Sequence, residues 1–293
     1  MTLRVVPGSL ICREFGGLEA ADPNWLREVD YWEDYNTRFF RANGKIYQPG
    51  DSNVQTWLTA EDRAPYAAMA RELLDELTAR MDLSDIDLVL MAHWLPDIHL
   101  GTSVTNFALH HLGVRDGFGF AISDRGLTAP LFAMHCAARY LTADRRKALI
   151  LSMDQKHLLY RSPVIEALNP GNSAAAMVLE RDVQNGTSYE GYRRVTLTGD
   201  EGDLTAAVHN LCADFGEAPE SVCLIAAPDL LNRVDHKGRV LAQSTQLLSA
   251  APFAALQQAE AEGAGRACLL VTQERKALSA VMLRADQKAR LAA

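Results

Sequence analysis

FAISDRGLTAPLFAMHCAARYL, residues 120–141, decides how this chain is read. Phe120 to Ser123 is an apolar burst of strand length, Asp124-Arg125-Gly126 is turn chemistry, and an apolar stretch of helix length follows from Leu127. The segment therefore predicts a buried strand, a tight turn and a buried helix. Open α/β sheets collect ligands beyond the carboxyl ends of their strands, so such a turn is a natural place for a nucleophile. The tip of this one carries Gly126 and Leu127, and neither is reactive.

Outward from this segment, apolar bursts alternate with amphipathic stretches twice along the chain, the mark of βαβ units and a largely parallel sheet. In the first pass LRVVPGSLIC predicts an edge strand or hairpin. TAEDRAPYAAMARELLDELTARM predicts a helix entered through Thr59, with Asp62 three residues on as a capping-box-like partner. IDLVLMAHWL, GFGFAIS, KALILSM and SAAAMVLER read as strands, and SVTNFALHHLGV and LTAPLFAMHCAARYLTA as helices. Residues 13–58, aromatic and charged without clear period, read as a surface excursion.

The second pass is shorter: YRRVTLTG, the helix DLTAAVHNLCADFG, the strand SVCLIAAP, the helix QSTQLLSAAPFAALQQAEAEG, and a terminal strand pair in CLLVTQE and LSAVMLR. QNGTSYEG, at 184–191, is turn-rich and marks the boundary. Two duplicated βαβαβ-type halves result, residues 1–185 and a shortened 186–293, packed as layered sheets and helices.

Composition narrows the function. A net charge of -8 opposes a nucleic-acid partner, because phosphate backbones are bound by clustered Lys and Arg. No apolar run reaches the roughly 18 residues of a bilayer span, and MTLRVVPGSLICREF lacks the apolar core of a secretory signal. The five cysteines lack CxxC spacing and fit reduced, buried thiols in a cytoplasmic protein. His93 and His99 have no third ligand at metal-site spacing, so no metal is expected. GFGF at 117–120 precedes a strand rather than following one, which excludes a dinucleotide fingerprint, and no GxSxG elbow occurs.

DLVLMAHWLPD, FALHHLGVRDGFGFAIS, KALILSMDQ and NPGNSAAAMVLER resemble, in order and spacing, successive segments of the thiolase superfamily, and within it of the ketoacyl-acyl-carrier-protein synthase III group. The similarity is good over about Ile86 to Arg181 and loose elsewhere. It implies a thiolase-like fold, dimerisation through the first half, and work on acyl thioesters of coenzyme A or acyl carrier protein, with no bound cofactor. Members of the group carry a cysteine at the turn entering the buried helix, where the helix N-terminus favours the thiolate. That position falls here on Gly126 or Leu127. The family histidine falls at Ala226 or Ala227 in IAAPDLLN, and the family asparagine near Gln246 and Leu247. The Cys-His-Asn triad is thus expected to be missing, with His236 the one histidine that a small shift of alignment would recruit.

Three readings stay open. One is a non-catalytic subunit, a homodimer or a heterodimer with an active ketosynthase-like chain. Another is an acyltransferase or condensing enzyme with a rebuilt site, for which Ser123 and Thr128 at the turn, His93 after one strand, and Asp154 and His157 after another supply hydroxyl, base and orienting carboxylate. The third is a module that binds acyl groups or a carrier protein. Beside these stand plainer roles: Ser123 and Thr128 as helix caps, and Asp154-Gln155-Lys156-His157 as a solvated loop or dimer contact.

Overall fold

The computed structural model describes residues 2–197 and 204–285. Strands β1 (Leu3–Val5) and β2 (Ile11–Phe15) are followed by helices α1 (Val29–Ala42), α2 (Val54–Thr59) and α3 (Tyr66–Thr78). Then come β3 (Leu88–Ala92), α4 (Val104–His111), β4 (Phe118–Ile122), α5 (Ala129–Tyr140), β5 (Lys147–Asp154), α6 (Pro163–Leu168) and β6 (Asn172–Arg181). The second pass holds β7 (Thr187–Thr196), α7 (Leu204–Asp214), β8 (Val222–Ala226), α8 (Pro228–Leu231), β9 (Val240–Ala242), α9 (Ala251–Ala261), β10 (Ala267–Glu274) and β11 (Ala277–Arg284). Thr198, Gly199 and Asp203, at the ends of two expected elements, lie outside the described residues.

Hydrogen bonding orders the strands β4-β3-β5-β6-β1-β7-β11-β10-β8-β9, with β2 also on β6. Read outward from the β1–β7 seam, with β1 and β2 counted as one position because both lie along β6, each side repeats one order: first strand, fifth, fourth, second, third. That repetition is the duplication expected from the sequence. Helix α5 touches β3 and β5 on one side of the seam and β7 and β11 on the other. In a flat sheet β3 and β11 would stand on the order of 24 Å apart, five strand spacings. The sheet therefore folds over, and α5 and α9 fill the space between its two sides.

Sequence dictates this layering. Every residue of β5 is buried, the near-continuous apolar run of a strand covered on both faces. On α5 the buried residues Ala129, Leu131, Ala133, Met134, Cys136 and Ala137 surround the helix rather than forming one stripe, as a helix packed between two sheets requires. One core joins α5 and α9 to the inner faces. A second holds α3 and α4 on the outer face of the first half, and a third holds α7 on that of the second.

The opening segments depart from expectation. β1 and β2 form no hairpin: they sit end to end along β6, Leu3 opposite Arg181 and Ile11 opposite Ala176, and of the two only β2 keeps one side unpaired among the described residues. β1 then bridges to β7. The helix expected from Thr59 begins only at Tyr66, with Pro65 extended at φ -57 and ψ 143. A residue before proline is pushed out of the α region, so the helix cannot run through Ala64-Pro65. Asp62, freed from capping, turns elsewhere. The excursion is not irregular either; it contains α1, whose aromatic side chains cover the carboxyl ends of the first-half strands.

Candidate functional site

The turn after β4 is built from local contacts. Thr128 Oγ1 donates to the Arg125 carbonyl at 2.7 Å and makes no side-chain cap on α5, so the capping role expected of it is replaced by closing the turn. The Arg125 guanidinium lies 4.2 Å from the centre of the Phe132 ring. Gly126 adopts φ +53, and a Cβ placed on it would fall 2.6 Å from Glu274 Oε2. The β10–β11 hairpin thus lays a carboxylate against the turn that the resemblance pairs with the family nucleophile. Leu127, next along, lines a cavity of about 320 Å³ with Ala227, Ser244, Thr245, Leu248 and Arg275.

Ser123, His93 and His157 come together in a second cavity, of about 380 Å³, whose walls include Tyr35, Phe39, Trp57 and Tyr160. Among the described residues no hydrogen bond joins the three. His93 Nδ1 lies 2.6 Å from the Leu95 carbonyl; a carbonyl only accepts, so Nδ1 carries the proton and Nε2 remains the open nitrogen. His157 Nε2 is 2.7 Å from Asp62 Oδ1, and Lys156 Nζ is 2.6 Å from Asp62 Oδ2.

Burial is the largest influence on His157 and sets it below the ordinary histidine value of 6.5, against the pull of Asp62. Burial alone would raise Asp62, yet its bonds to Lys156 and His157 outweigh that and hold the carboxyl below its usual 3.8. Both folded values are depressed, so the unfolded chain binds more protons and stability falls on acidification. His157 contributes first, from 6.5 downward, then Asp62 from 3.8 downward. His157→Gln is expected to flatten the fall in Tm between about pH 6.5 and pH 5. Parallel melting curves of variant and wild type against pH would contradict this.

Asp154 stands apart from the cavity. It is fully buried, and burial pushes its carboxyl up. Its Oδ1 accepts from the Trp94 and Leu95 amides at 2.9 and 2.7 Å, and its Oδ2 from the Ser249 amide at 2.9 Å. The residue expected in a solvated loop is a clasp between the two halves. Around it, Ser152 Oγ donates to the Ser249 carbonyl at 2.6 Å and Ser173 Oγ to the Leu247 carbonyl at 2.9 Å. These bonds over-determine the segment in which Leu248 takes φ 44 and ψ -118, a conformation that persists only when its surroundings enforce it. This is the stretch that the resemblance matched to the family asparagine.

His236 hydrogen-bonds through Nε2 to the Val222 carbonyl at 2.9 Å, at the opening of β8, whereas Ala227 follows its end. About 13 Å of strand separates them. His111 pairs with Asp75 at 2.7 Å on the surface, and His135 packs on the Tyr192 ring at 5.0 Å. Among the described residues no cluster of three metal-ligating side chains occurs, and no helix is long and apolar enough to cross a membrane. Sequence reasoning missed Asp62, Glu274 and the Leu248-Ser249 kink.

The chain matches no protein-family model and no curated protein. Solved structures are similar to it over almost its whole length. The tetronic acid condensing enzyme AbyA1 is 16% identical with a TM-score of 0.64, the match covering 97% of this chain and 100% of that one. Acetamide-bound OleA of Xanthomonas campestris is 15% identical with a TM-score of 0.63, covering 97% and 99%. A variant of OleA bound with cerulenin is 16% identical with a TM-score of 0.65, covering 97% of each chain. At such identities the likeness carries the fold, and the strand order found twice along the sheet agrees with it: the chain has the thiolase-like fold, that of condensing enzymes of the thiolase superfamily.

Proposed function

We propose that this chain is a ketosynthase-like protein of fatty-acid or specialised-metabolite assembly that serves as a non-catalytic subunit, paired with an active ketosynthase-like partner. The observation that carries this reading is the Gly126-Leu127 turn with the Glu274 carboxylate laid against it. Acyl transfer and decarboxylation build negative charge near this position, and a carboxylate there opposes that charge instead of stabilising it. The adjoining cavity sets Leu127, Ala227 and Leu248 beside Ser244, Thr245 and Arg275, and neither a histidine nor an asparagine is among its lining residues. The cysteine nearest in sequence, Cys136, lies buried within α5.

An interface role draws support from β4, which ends the sheet. Phe118 on it is 56% exposed and lies against Phe120, which in turn packs on Tyr140. An open strand edge flanked by exposed rings favours pairing with another chain. In this reading the protein is a cytoplasmic dimer with itself or with the active chain, divided at residues 185 and 186. Coenzyme A or acyl carrier protein presents the thioester to the partner.

One observation favours a rebuilt enzyme instead: Ser123, His93 and His157 share a cavity. Carbon dioxide release from malonyl-coenzyme A by the pure protein decides between the two. Release equal to a heat-killed control is expected. Release above it, lost in His93→Ala or Ser123→Ala, would overturn the subunit reading.

A further inference from the structure

Cys223 on β8 and Cys268 on β10 stand opposite each other in parallel register. Both side chains turn to the inner core shared with α9. Neighbouring strands hold such Cα atoms about 4.8 Å apart, inside the roughly 4.4–6.8 Å that a disulfide spans. Cys223 is 1% exposed. Cys268 is half-buried and opens onto a cavity of about 290 Å³ lined also by Val5, Leu10, Leu256 and Glu260.

We propose that Cys223 and Cys268 form an oxidation-sensitive dithiol that closes to a disulfide between β8 and β10 when a peroxide enters the cavity beside Cys268. Cys268 sulfur attacks a peroxide oxygen, the O–O bond breaks, and water leaves a sulfenic acid. Cys223 sulfur then attacks Cys268 sulfur, the S–O bond breaks, and a second water departs. Two thiols lose two electrons and two protons, and one hydrogen peroxide becomes two waters. Cys268 beside it is the largest influence favouring the Cys223 thiolate, burial opposes it, and Arg239 assists. Cys223 and burial in turn push the Cys268 thiol well up, so attack on the peroxide is the slow step and Cys223 is suited to the resolving one.

Side chains leaving neighbouring parallel strands side by side keep their Cβ atoms near the strand spacing, wider than the mean of about 3.8 Å in relaxed disulfides. The bond would carry strain and reduce readily, the behaviour of a regulatory disulfide rather than a structural one. β8 leads directly to Ala227 and β10 carries Thr272 and Gln273, all lining the cavity beside Leu127. The cross-link therefore ties two walls of that cavity together. This inference rests on strand register and on the cavity beside Cys268, and stands whatever the chain's activity.

The test treats the full native chain with hydrogen peroxide, blocks remaining thiols, and reads intact mass and peptide map. The expected result is loss of the mass of two hydrogens, a linked peptide pair containing Cys223 and Cys268, and reversal by dithiothreitol. Cys223→Ser is expected to lose the link and to leave Cys268 as a sulfenic acid that dimedone traps. Recovery of both thiols free, or linkage through Cys12, Cys136 or Cys212 instead, would overturn the proposal. The wild-type map decides even if the serine variant fails to fold.

Discussion

Asp154→Ala is expected to lower the unfolding free energy by about 3–5 kcal/mol, because each buried donor left without a partner costs about 1–3 kcal/mol and water entry offsets part of the sum. Three amides lose their acceptor at once: Trp94, Leu95 and Ser249. The carboxylate is wholly enclosed, and the hydroxyl beside it, Tyr66 Oη at 3.5 Å from Oδ1, already donates to the Leu95 carbonyl at 2.7 Å. The kink at Leu248 loses one of its restraints, so the loss extends to the seam between the halves. Asp154→Asn keeps one acceptor oxygen but sets an amide donor against a backbone donor, and should fall between wild type and alanine. Denaturant midpoints at constant slope measure both. A midpoint for Asp154→Ala within error of wild type would mean that the clasp contributes nothing.

Arg63→Ala should cost about 1–3 kcal/mol, less than breaking a fully buried ion pair, because Arg63 is enclosed but its partner Glu19 is a quarter exposed and can rehydrate. Arg63 is 2% exposed, its Nε is 2.8 Å from Glu19 Oε2, and its Nη1 donates to the Trp57 carbonyl at 2.7 Å. Its guanidinium also lies 4.4 Å from the Trp25 ring centre and 5.5 Å from that of Trp57. Among the described residues, removing it leaves the Glu19 carboxylate paired with His99 alone, at 2.9 Å, and unpins the aromatic segments that roof the His93–His157 cavity. Lysine lacks the planar fork and cannot make both bonds while stacking, so Arg63→Lys should rescue little. Chemical denaturation, with tryptophan emission shifting to the red in the folded baseline, checks this. An unshifted spectrum with unchanged stability would contradict it.

The parts of the fold that could be read from sequence are those fixed by local pattern. β5 and α5 are apolar on all sides, and only burial between layers accommodates such segments. The α3 boundary was marked by Pro65, but the Thr59–Asp62 spacing suggested an earlier start; proline's missing donor and its constraint on Ala64 prevail over a capping pattern. Helix α1 is strongly amphipathic, a period masked in the sequence by its many aromatic and charged residues; its apolar face packs on other rings rather than on the sheet, Trp32 on Trp57 at 5.0 Å and Phe39 on Tyr160 at 5.6 Å. β9, three residues long, is too short for any period to register.

The site was legible as a location and not as a network. Strand ends named His93, Ser123 and His157, and folding brings these three to one cavity. Asp154 reads as a polar loop residue because its partners are amides some 60 and 95 positions away. Glu274 meets Gly126 only through the fold of the sheet. Neither relation leaves a trace in local spacing.

The most direct measurement is the intact mass of the pure protein after incubation with a panel of acyl-coenzyme A thioesters, with peptide mapping of any adduct. The expected result is an unmodified chain with native circular dichroism, the Gly126-Leu127 turn serving as scaffold. A stoichiometric acyl adduct on Ser123, Thr128 or another residue beside the turn would contradict a non-catalytic role and make the chain an acyl-transfer enzyme with a replaced nucleophile.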